Sequence, residues 1–228
     1  MTIVDLAKEL IAVPSHEGEE EVGKLIEKWL KRETDAEVLR DGIGNIIARR
    51  GSGDELAFIG HHDVVPPSFD QMDGDRCKVF EKGGRLYGRG SADMKGALAS
   101  MMHSFRDAKP KMELVFASFV GEEVGGDGAQ YAISKGFNPK FAVVGEGSTG
   151  YSNGGITDIA IVHRGRRESQ ITVLGEEAHA SQPNEEKNAI YLAADVIQEI
   201  LKMPTKEITI EGVGMKESVT VTRIEGGT

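Results

Sequence analysis

Histidine and acidic side chains occur together in the segment Gly60–Pro66, where His61 and Asp63 are separated by one residue. A neutral imidazole is a good ligand for a borderline divalent cation. A carboxylate two residues further on can accept the other ring N–H, which fixes the tautomer and makes the ligand more basic. Taken alone, such a triplet is more often a surface or capping feature than a metal site.

Two further clusters place carboxylates in glycine-rich turns. In Gly88–Gly96, Asp93 stands where a helix begins, and its negative charge suits a cation rather than a phosphate, although helix capping alone would explain it. In Val120–Gly126, Glu122 and Glu123 follow an apolar run. Because side chains alternate along a strand, the two acids point in different directions, so one can bind a metal while the other reaches a bound water. The competing interpretation is a solvated acidic turn.

A fourth acid, Glu146, follows the apolar run Phe141–Val144. In open α/β sheets, sites form at the carboxyl ends of the strands, so we expect the four clusters to meet at one edge of a sheet. Carboxylates at about 4 Å repel one another by about 4 kcal/mol per pair at an effective dielectric constant near 20. Divalent cations would offset this repulsion, so the four clusters together predict a metal site more strongly than any one of them.

The surrounding sequence alternates between strand and helix patterns, with Ser15 as the expected N-cap of the second helix. Some of the strands are apolar on both faces, which indicates an α/β fold with a mostly parallel sheet flanked by helices. The predicted helices are 2–12, 16–33, 93–109 and 127–136, and the predicted strands are 45–49, 56–60, 112–120 and 141–144, with a hairpin around 82–85.

The pattern changes after Gly165, so we place a domain boundary near residue 164. Residues 1–164 are expected to form the domain that carries the four clusters. Residues 165–228 are expected to form a smaller α+β unit with strands over 167–174, 206–211 and 218–224 and an amphipathic helix over 186–202.

Composition excludes several classes of protein. The chain has 228 residues, with 37 acids and 27 bases and a formal net charge of −10, which argues against nucleic acids and anionic membranes as partners. It has no apolar run near 18 residues and no basic segment at its start, so we expect neither a membrane span nor a signal peptide, and a cytoplasmic location. The single cysteine, Cys77, excludes a disulfide framework and a cysteine-rich zinc site.

The four motifs, in this order and at these spacings, resemble those of the M20 metallohydrolases, and the resemblance covers the whole chain. It implies a zinc-exopeptidase-like catalytic domain in residues 1–164 and part of a lid and dimerisation domain in 165–228. It also implies two divalent metal ions, with Zn²⁺ expected and Co²⁺ as the alternative. By position, the resemblance assigns the metal ligands as His61, Asp93, Glu123 and Glu146.

The same resemblance assigns three catalytic roles. Asp63 would orient His61, and Glu122 would be the general base. His179, in a further matching segment of the second unit, would stabilise the oxyanion in the active site of a neighbouring subunit of a homodimer. A glutamate at position 146 favours a deacylase of N-acyl amino acids, of the acetylornithine deacetylase or succinyl-diaminopimelate desuccinylase type. A di- or tripeptidase or a carboxypeptidase is the alternative.

The chain departs from the family pattern in its length. Family members return to the catalytic domain after the lid and supply a second histidine ligand, which we expect to be missing here because of a C-terminal truncation. His62 does not replace it, since it alternates away from His61. We therefore expect weak or absent activity from the isolated chain. The alternative of another class is an inactive metal-binding fragment that needs a partner chain.

Overall fold

The computed structural model describes residues 1–109, 111–147, 165–179, 181–210 and 212–226. The chain divides into two compact units, Met1–Gly154 and Gly155–Thr228. The boundary predicted near residue 164 falls in 148–164, outside the described residues, and the division into residues 1–164 and 165–228 stays a prediction. None of the described helices has the length and apolar character that crossing a bilayer would require.

The first unit is an alternation of helices and strands, as the pattern predicted. Its described elements, in chain order, are α1 (Ile3–Ala12), α2 (Glu20–Glu33), β1 (Glu37–Arg40), β2 (Ile46–Arg50), β3 (Glu55–His61), the short strands β4 (Met72–Asp73), β5 (Arg76–Cys77), β6 (Phe80–Lys82) and β7 (Arg85–Tyr87), α3 (Lys95–Asp107), β8 (Glu113–Phe119), α4 (Asp127–Ser134) and β9 (Phe141–Val144). The hairpin predicted around 82–85 is β6–β7.

Helix α2 begins four residues later than predicted, at Glu20, and Ser15 is not its N-cap. The Ser15 hydroxyl instead donates to the carbonyl of His62, at 2.7 Å. A buried hydrogen bond to the strand region thus prevails over the local capping preference of serine. Glu19 occupies the N-cap position without a side-chain capping bond, which leaves its carboxylate available for contacts elsewhere.

Five of the described strands form one mixed sheet in the order β1-β2-β8-β3-β9. The β3–β8 and β3–β9 pairs are parallel, whereas the β1–β2 and β2–β8 pairs are antiparallel. Only half of the pairings are therefore parallel, fewer than the mostly parallel sheet we predicted. The short connection 51–54 reverses the chain, so β2 runs opposite to β3 although β8 lies between them.

Strand β8 is the centre of the core, because its two faces are both covered. Leu114 and Phe116 pack with apolar side chains of α1, α2 and α3. Their neighbours Val115 and Ala117 face the other way and pack with Ala132 of α4. Side chains that alternate along β8 thus pack against a layer of helices on each face of the sheet, as expected for a sheet flanked by helices.

The second unit contains a helix and a hairpin among its described residues: α5 (Ala189–Leu201), β10 (Glu207–Ile210) and β11 (Val213–Lys216). The predicted helix and the strand near 206–211 are present. The strands predicted over 167–174 and 218–224 are not: the described residues 165–179 and 217–226 contain no strand. An alternating pattern forms a strand only where a second backbone pairs with it, and β10 pairs with the nearer segment 213–216 through a turn at Gly212.

Candidate metal centre

The ends of three neighbouring strands bring the predicted site residues to one edge of the sheet. In the parallel pairing, His61 at the end of β3 lies opposite Phe119 at the end of β8, and Ile59 lies opposite Val144 of β9. The turns that carry Glu122, Glu123 and Glu146 follow directly after β8 and β9. The sheet thus brings His61 and the turns that carry these acids to the same edge.

Two glycines let the start of α3 approach this edge, which brings in Asp93. A Cβ atom on Gly60 would lie 2.6 Å from the Cε of Met94, and one on Gly145 would lie 2.7 Å from the Cε of Met101. Neither strand end could carry a side chain here without displacing a methionine. The Met94 sulfur also accepts a hydrogen bond from the backbone N–H of His61, at 3.2 Å.

His61 is buried and its two ring nitrogens face different groups. Nδ1 lies 3.1 Å from the carbonyl oxygen of Asp63 and 3.2 Å from its Oδ1, so Nδ1 carries a proton and donates it. Nε2 lies 3.0 Å from Oδ1 of Asp93 and 3.5 Å from Oε2 of Glu146. When both carboxylates are ionised, the groups opposite Nε2 are acceptors, and the nitrogen then holds a second proton or shares its lone pair with a cation.

The electrostatics of the cluster favour a bound positive charge. Burial opposes the charge on His61, but Asp63, Asp93 and Glu146 outweigh it and raise the pKa of His61 to about 9. Partial burial, followed by the charge of Asp93, raises the pKa of Glu123 and of Glu146 above the ordinary value. Protons or metal ions would both relieve this repulsion.

Asp63 joins His61 to the turn after β8. Besides facing Nδ1 of His61, its Oδ1 accepts the backbone N–H of Glu122 at 3.1 Å, and its Oδ2 accepts the N–H of Glu123 at 2.9 Å. Burial raises the pKa of Asp63, but the hydrogen bonds from His61 and the two backbone N–H groups prevail and hold it below its ordinary value. One buried carboxylate therefore fixes both the His61 tautomer and the turn that carries Glu122 and Glu123.

The donor atoms suit a divalent metal ion. One ligand atom from each of His61, Asp93 and Glu123 lies within 4.8 Å of the others. Glu146 joins them through its 3.5 Å approach to Nε2 of His61. One imidazole and three carboxylates can bind a divalent ion, zinc among them. The four predicted ligands thus lie together and are chemically suited to a metal.

Glu19 and His62 lie behind the site and were not singled out from the sequence as site residues. Oε2 of Glu19 accepts the backbone N–H of Gly121 at 3.3 Å and lies 3.6 Å from Nε2 of His62. Burial, followed by the charge of Asp63, raises the pKa of Glu19 to about 7, and burial lowers the pKa of His62 to about 3. Glu19 stands in a run of acids that a helix start explains, so the local sequence carried no signal of this contact.

His179 belongs to the second unit, and its catalytic role stays a prediction. Its Nδ1 accepts the backbone N–H of Ser181 at 3.2 Å and lies 2.8 Å from the Ser181 hydroxyl oxygen. An accepting Nδ1 places the proton of the neutral ring on Nε2. The imidazole is therefore held as a donor at its outer nitrogen.

Comparison with known proteins places this chain beside one family of hydrolases. The family model described as "Peptidase family M20/M25/M40" matches residues 57–223. A succinyl-diaminopimelate desuccinylase of Nautilia profundicola is 30% identical over 209 residues, covering 88% of this chain and 56% of its own. An acetylornithine deacetylase of Photorhabdus laumondii is 29% identical over 218 residues, covering 88% and 55%. The chain thus spans little more than half the length of these relatives.

Solved structures agree on the fold. Aminopeptidase PepT from Bacillus cereus superposes with a TM-score of 0.57 at 23% identity, covering 94% of this chain and 63% of its own. A tripeptidase from Staphylococcus aureus gives a TM-score of 0.55 at 19% identity with the same coverages. An M20 family metallo-carboxypeptidase from Sulfolobus solfataricus gives 0.52 at 17% identity, covering 63% and 37%.

Proposed function

Because this chain belongs to peptidase family M20/M25/M40, we propose that it serves in metal-dependent hydrolysis of the amide bond of an N-acyl amino acid. The observation that carries the proposal is the pair of carboxylates, Asp93 and Glu146, facing Nε2 of a histidine whose Nδ1 is already committed to Asp63. A neutral imidazole in that setting presents a lone pair toward a place of strong negative potential, which is the arrangement of a metal ligand.

In this proposal His61, Asp93, Glu123 and Glu146 hold two divalent ions, Zn²⁺ or in its place Co²⁺. When bound, such ions supply Lewis acidity, which polarises the scissile carbonyl and acidifies water. Asp63 keeps the proton of His61 on Nδ1, so that Nε2 is free to bind. It also accepts hydrogen bonds from the backbone N–H groups of Glu122 and Glu123 and thereby fixes the backbone that carries those two side chains.

Glu122 is the proposed general base. Its side chain is exposed, whereas its backbone is fixed by Asp63, so the carboxylate can reach a water molecule from an anchored position. It would take one proton from the water that attacks the carbonyl carbon and deliver it to the amine as the C–N bond breaks. The products are a carboxylic acid and an amine. In a homodimer, His179 of a neighbouring copy would donate from Nε2 to the oxyanion.

The substrate class rests on the two curated relatives, which are named for removing a succinyl and an acetyl group. A peptidase of the same family is the second candidate, favoured by the names of the solved structures of similar fold. The small-molecule substrate, the homodimer and a cytoplasmic location all belong to the proposal, and neither a nucleic acid nor a membrane has a part in it.

The test is a substrate panel on the zinc- and cobalt-loaded chain, with release of a free amine as the readout. N-acetylornithine, N-succinyl-diaminopimelate, a dipeptide and a tripeptide form the panel. Glu122→Gln is the control, since it keeps the four ligands and loses the base, and it should lower turnover by about 10²- to 10⁴-fold. Turnover of peptides alone would favour the peptidase. Tight metal binding without any turnover would favour a metal-binding chain that needs a partner, and no metal binding by the folded chain would refute the proposal.

A further inference from the structure

Three consecutive backbone N–H groups of the turn after β8 point at two carboxylates, of which Asp63 is buried and Glu19 is partly buried. The N–H of Gly121 donates to Oε2 of Glu19 at 3.3 Å. The next two N–H groups, of Glu122 and Glu123, donate to Oδ1 and Oδ2 of Asp63 at 3.1 and 2.9 Å. Gly121 has a φ of 64°, in the left-handed region. Successive N–H groups beside a left-handed residue form a concave anion-binding nest, and here its anions belong to the protein itself.

The Glu19 side of this nest comes from a different element of the fold than the Asp63 side. Glu19 comes from the start of α2, 102 positions away from Gly121 in sequence, and its side chain is only 22% exposed. Its Oε2 also lies 3.6 Å from Nε2 of His62, which has no closer hydrogen-bond partner among the described residues. Nδ1 of His62 in turn lies 2.8 Å from the hydroxyl oxygen of Ser118 on β8. Glu19 thus lies beside His62, whose other ring nitrogen contacts the strand that leads into the turn.

We infer that Glu19 is a positioning residue for Glu122 and Glu123. It fixes the first N–H of the turn, while Asp63 fixes the second and third, so the turn is held at both ends of its three-residue arc. The inference rests on the proposed function for what Glu122 and Glu123 do. It does not rest on the charge of Glu19, because an amide oxygen can accept the Gly121 N–H as a carboxylate oxygen does.

The experiment compares Glu19→Ala with Glu19→Gln in the full chain. The matched control is Glu20→Ala, because Glu20 is the adjacent acid of the same helix and its exposed side chain forms an ion pair with Lys24 at 2.8 Å. The first readout is amide hydrogen exchange at Gly121, Glu122 and Glu123 in the metal-free chain. Should Glu19→Ala not fold, Glu19→Met replaces it, since methionine keeps the length of the side chain and lacks a strong acceptor.

We expect exchange at the three amides to rise about tenfold in Glu19→Ala, and to stay within about threefold of the parent in Glu19→Gln and Glu20→Ala. The second readout is Co²⁺ affinity, which should fall by about 10- to 100-fold in Glu19→Ala with the number of equivalents unchanged, and recover in Glu19→Gln. A residue that served only overall stability would raise exchange throughout the first unit, whereas a positioning residue raises it at these three amides.

Unchanged exchange at the three amides in Glu19→Ala or Glu19→Met would overturn the inference, and so would a Glu19→Gln chain that behaves like Glu19→Ala. The two proposals can fail separately. If the parent chain binds no Co²⁺, the proposed function fails, while the exchange data still decide whether Glu19 holds the turn.

Discussion

Replacing Asp63 by asparagine removes one charge from the centre of the site and changes almost nothing in shape. The carboxylate accepts from three donors: Nδ1 of His61 and the N–H of Glu122 at Oδ1, and the N–H of Glu123 at Oδ2. An asparagine has one oxygen and one NH₂ group. Its least costly orientation keeps the oxygen toward His61 and Glu122 and turns the NH₂ group against the N–H of Glu123.

The size of the effect follows from those three bonds. One hydrogen bond to a charged group, worth about 1.5–3 kcal/mol, is lost outright. The other two lose the negative charge of their acceptor and with it part of their strength. Part of this loss of stability is offset, because the neutral asparagine does not have to be desolvated as an anion when the chain folds. We expect the free energy of unfolding to fall by about 2 kcal/mol and the affinity for Zn²⁺ to fall by about 10- to 100-fold.

Trp29 makes the stability assay specific to the first unit, because it is the single tryptophan of the chain and lies in the core, 2% exposed. Urea unfolding of the metal-free chain at pH 7, followed by its fluorescence, gives the first number, and a zinc titration gives the second. The control is Asp54→Asn, whose carboxylate pairs at the surface with Lys140, and it should change stability by less than about 1 kcal/mol. An Asp63→Asn chain with parental stability and zinc affinity would refute the account of the site.

Two further predictions concern stability. Because the pKa of His61 is about 9 in the folded chain and 6.5 ordinarily, the folded state binds the extra proton, so its contribution is complete below pH 6.5 and is lost as the pH rises through 9. Through this group, unfolding of the metal-free chain should become easier by up to about 3 kcal/mol across this range, and His61→Gln should remove that contribution. A Cβ on Gly128 would lie 2.4 Å from the carbonyl oxygen of Val120, so Gly128→Ala should destabilise by about 3 kcal/mol in urea unfolding. Gly18→Ala, with nothing within 4 Å, should be nearly neutral, and equal effects of the two would contradict this reasoning.

Local sequence patterns predicted the residues that meet at the sheet edge, because that prediction needs only the strand ends and the rule for parallel strands. The direction of β2 could not be read in the same way, since β8, which lies beside it, is more than sixty residues away. The predicted start of α2 was also wrong because of a contact that is distant in sequence. The hydroxyl of Ser15 donates to the carbonyl of His62 and does not cap the helix. Glu19 was overlooked because its partner, the N–H of Gly121, is brought near only by the finished fold.

The strand order has a consequence for how the chain is made. Strands β2 and β3 follow one another in sequence but are not neighbours, because β8 is inserted between them. During synthesis at about 5–20 residues per second, the fifty or so residues that separate β3 from β8 take several seconds to emerge. Until then the inner edges of β2 and β3 carry unpaired backbone groups that invite association with other nascent chains. Chaperones should bind the nascent chain when the ribosome stalls before Glu113 is made. They should dissociate when the stall comes after Phe119 has left the exit tunnel.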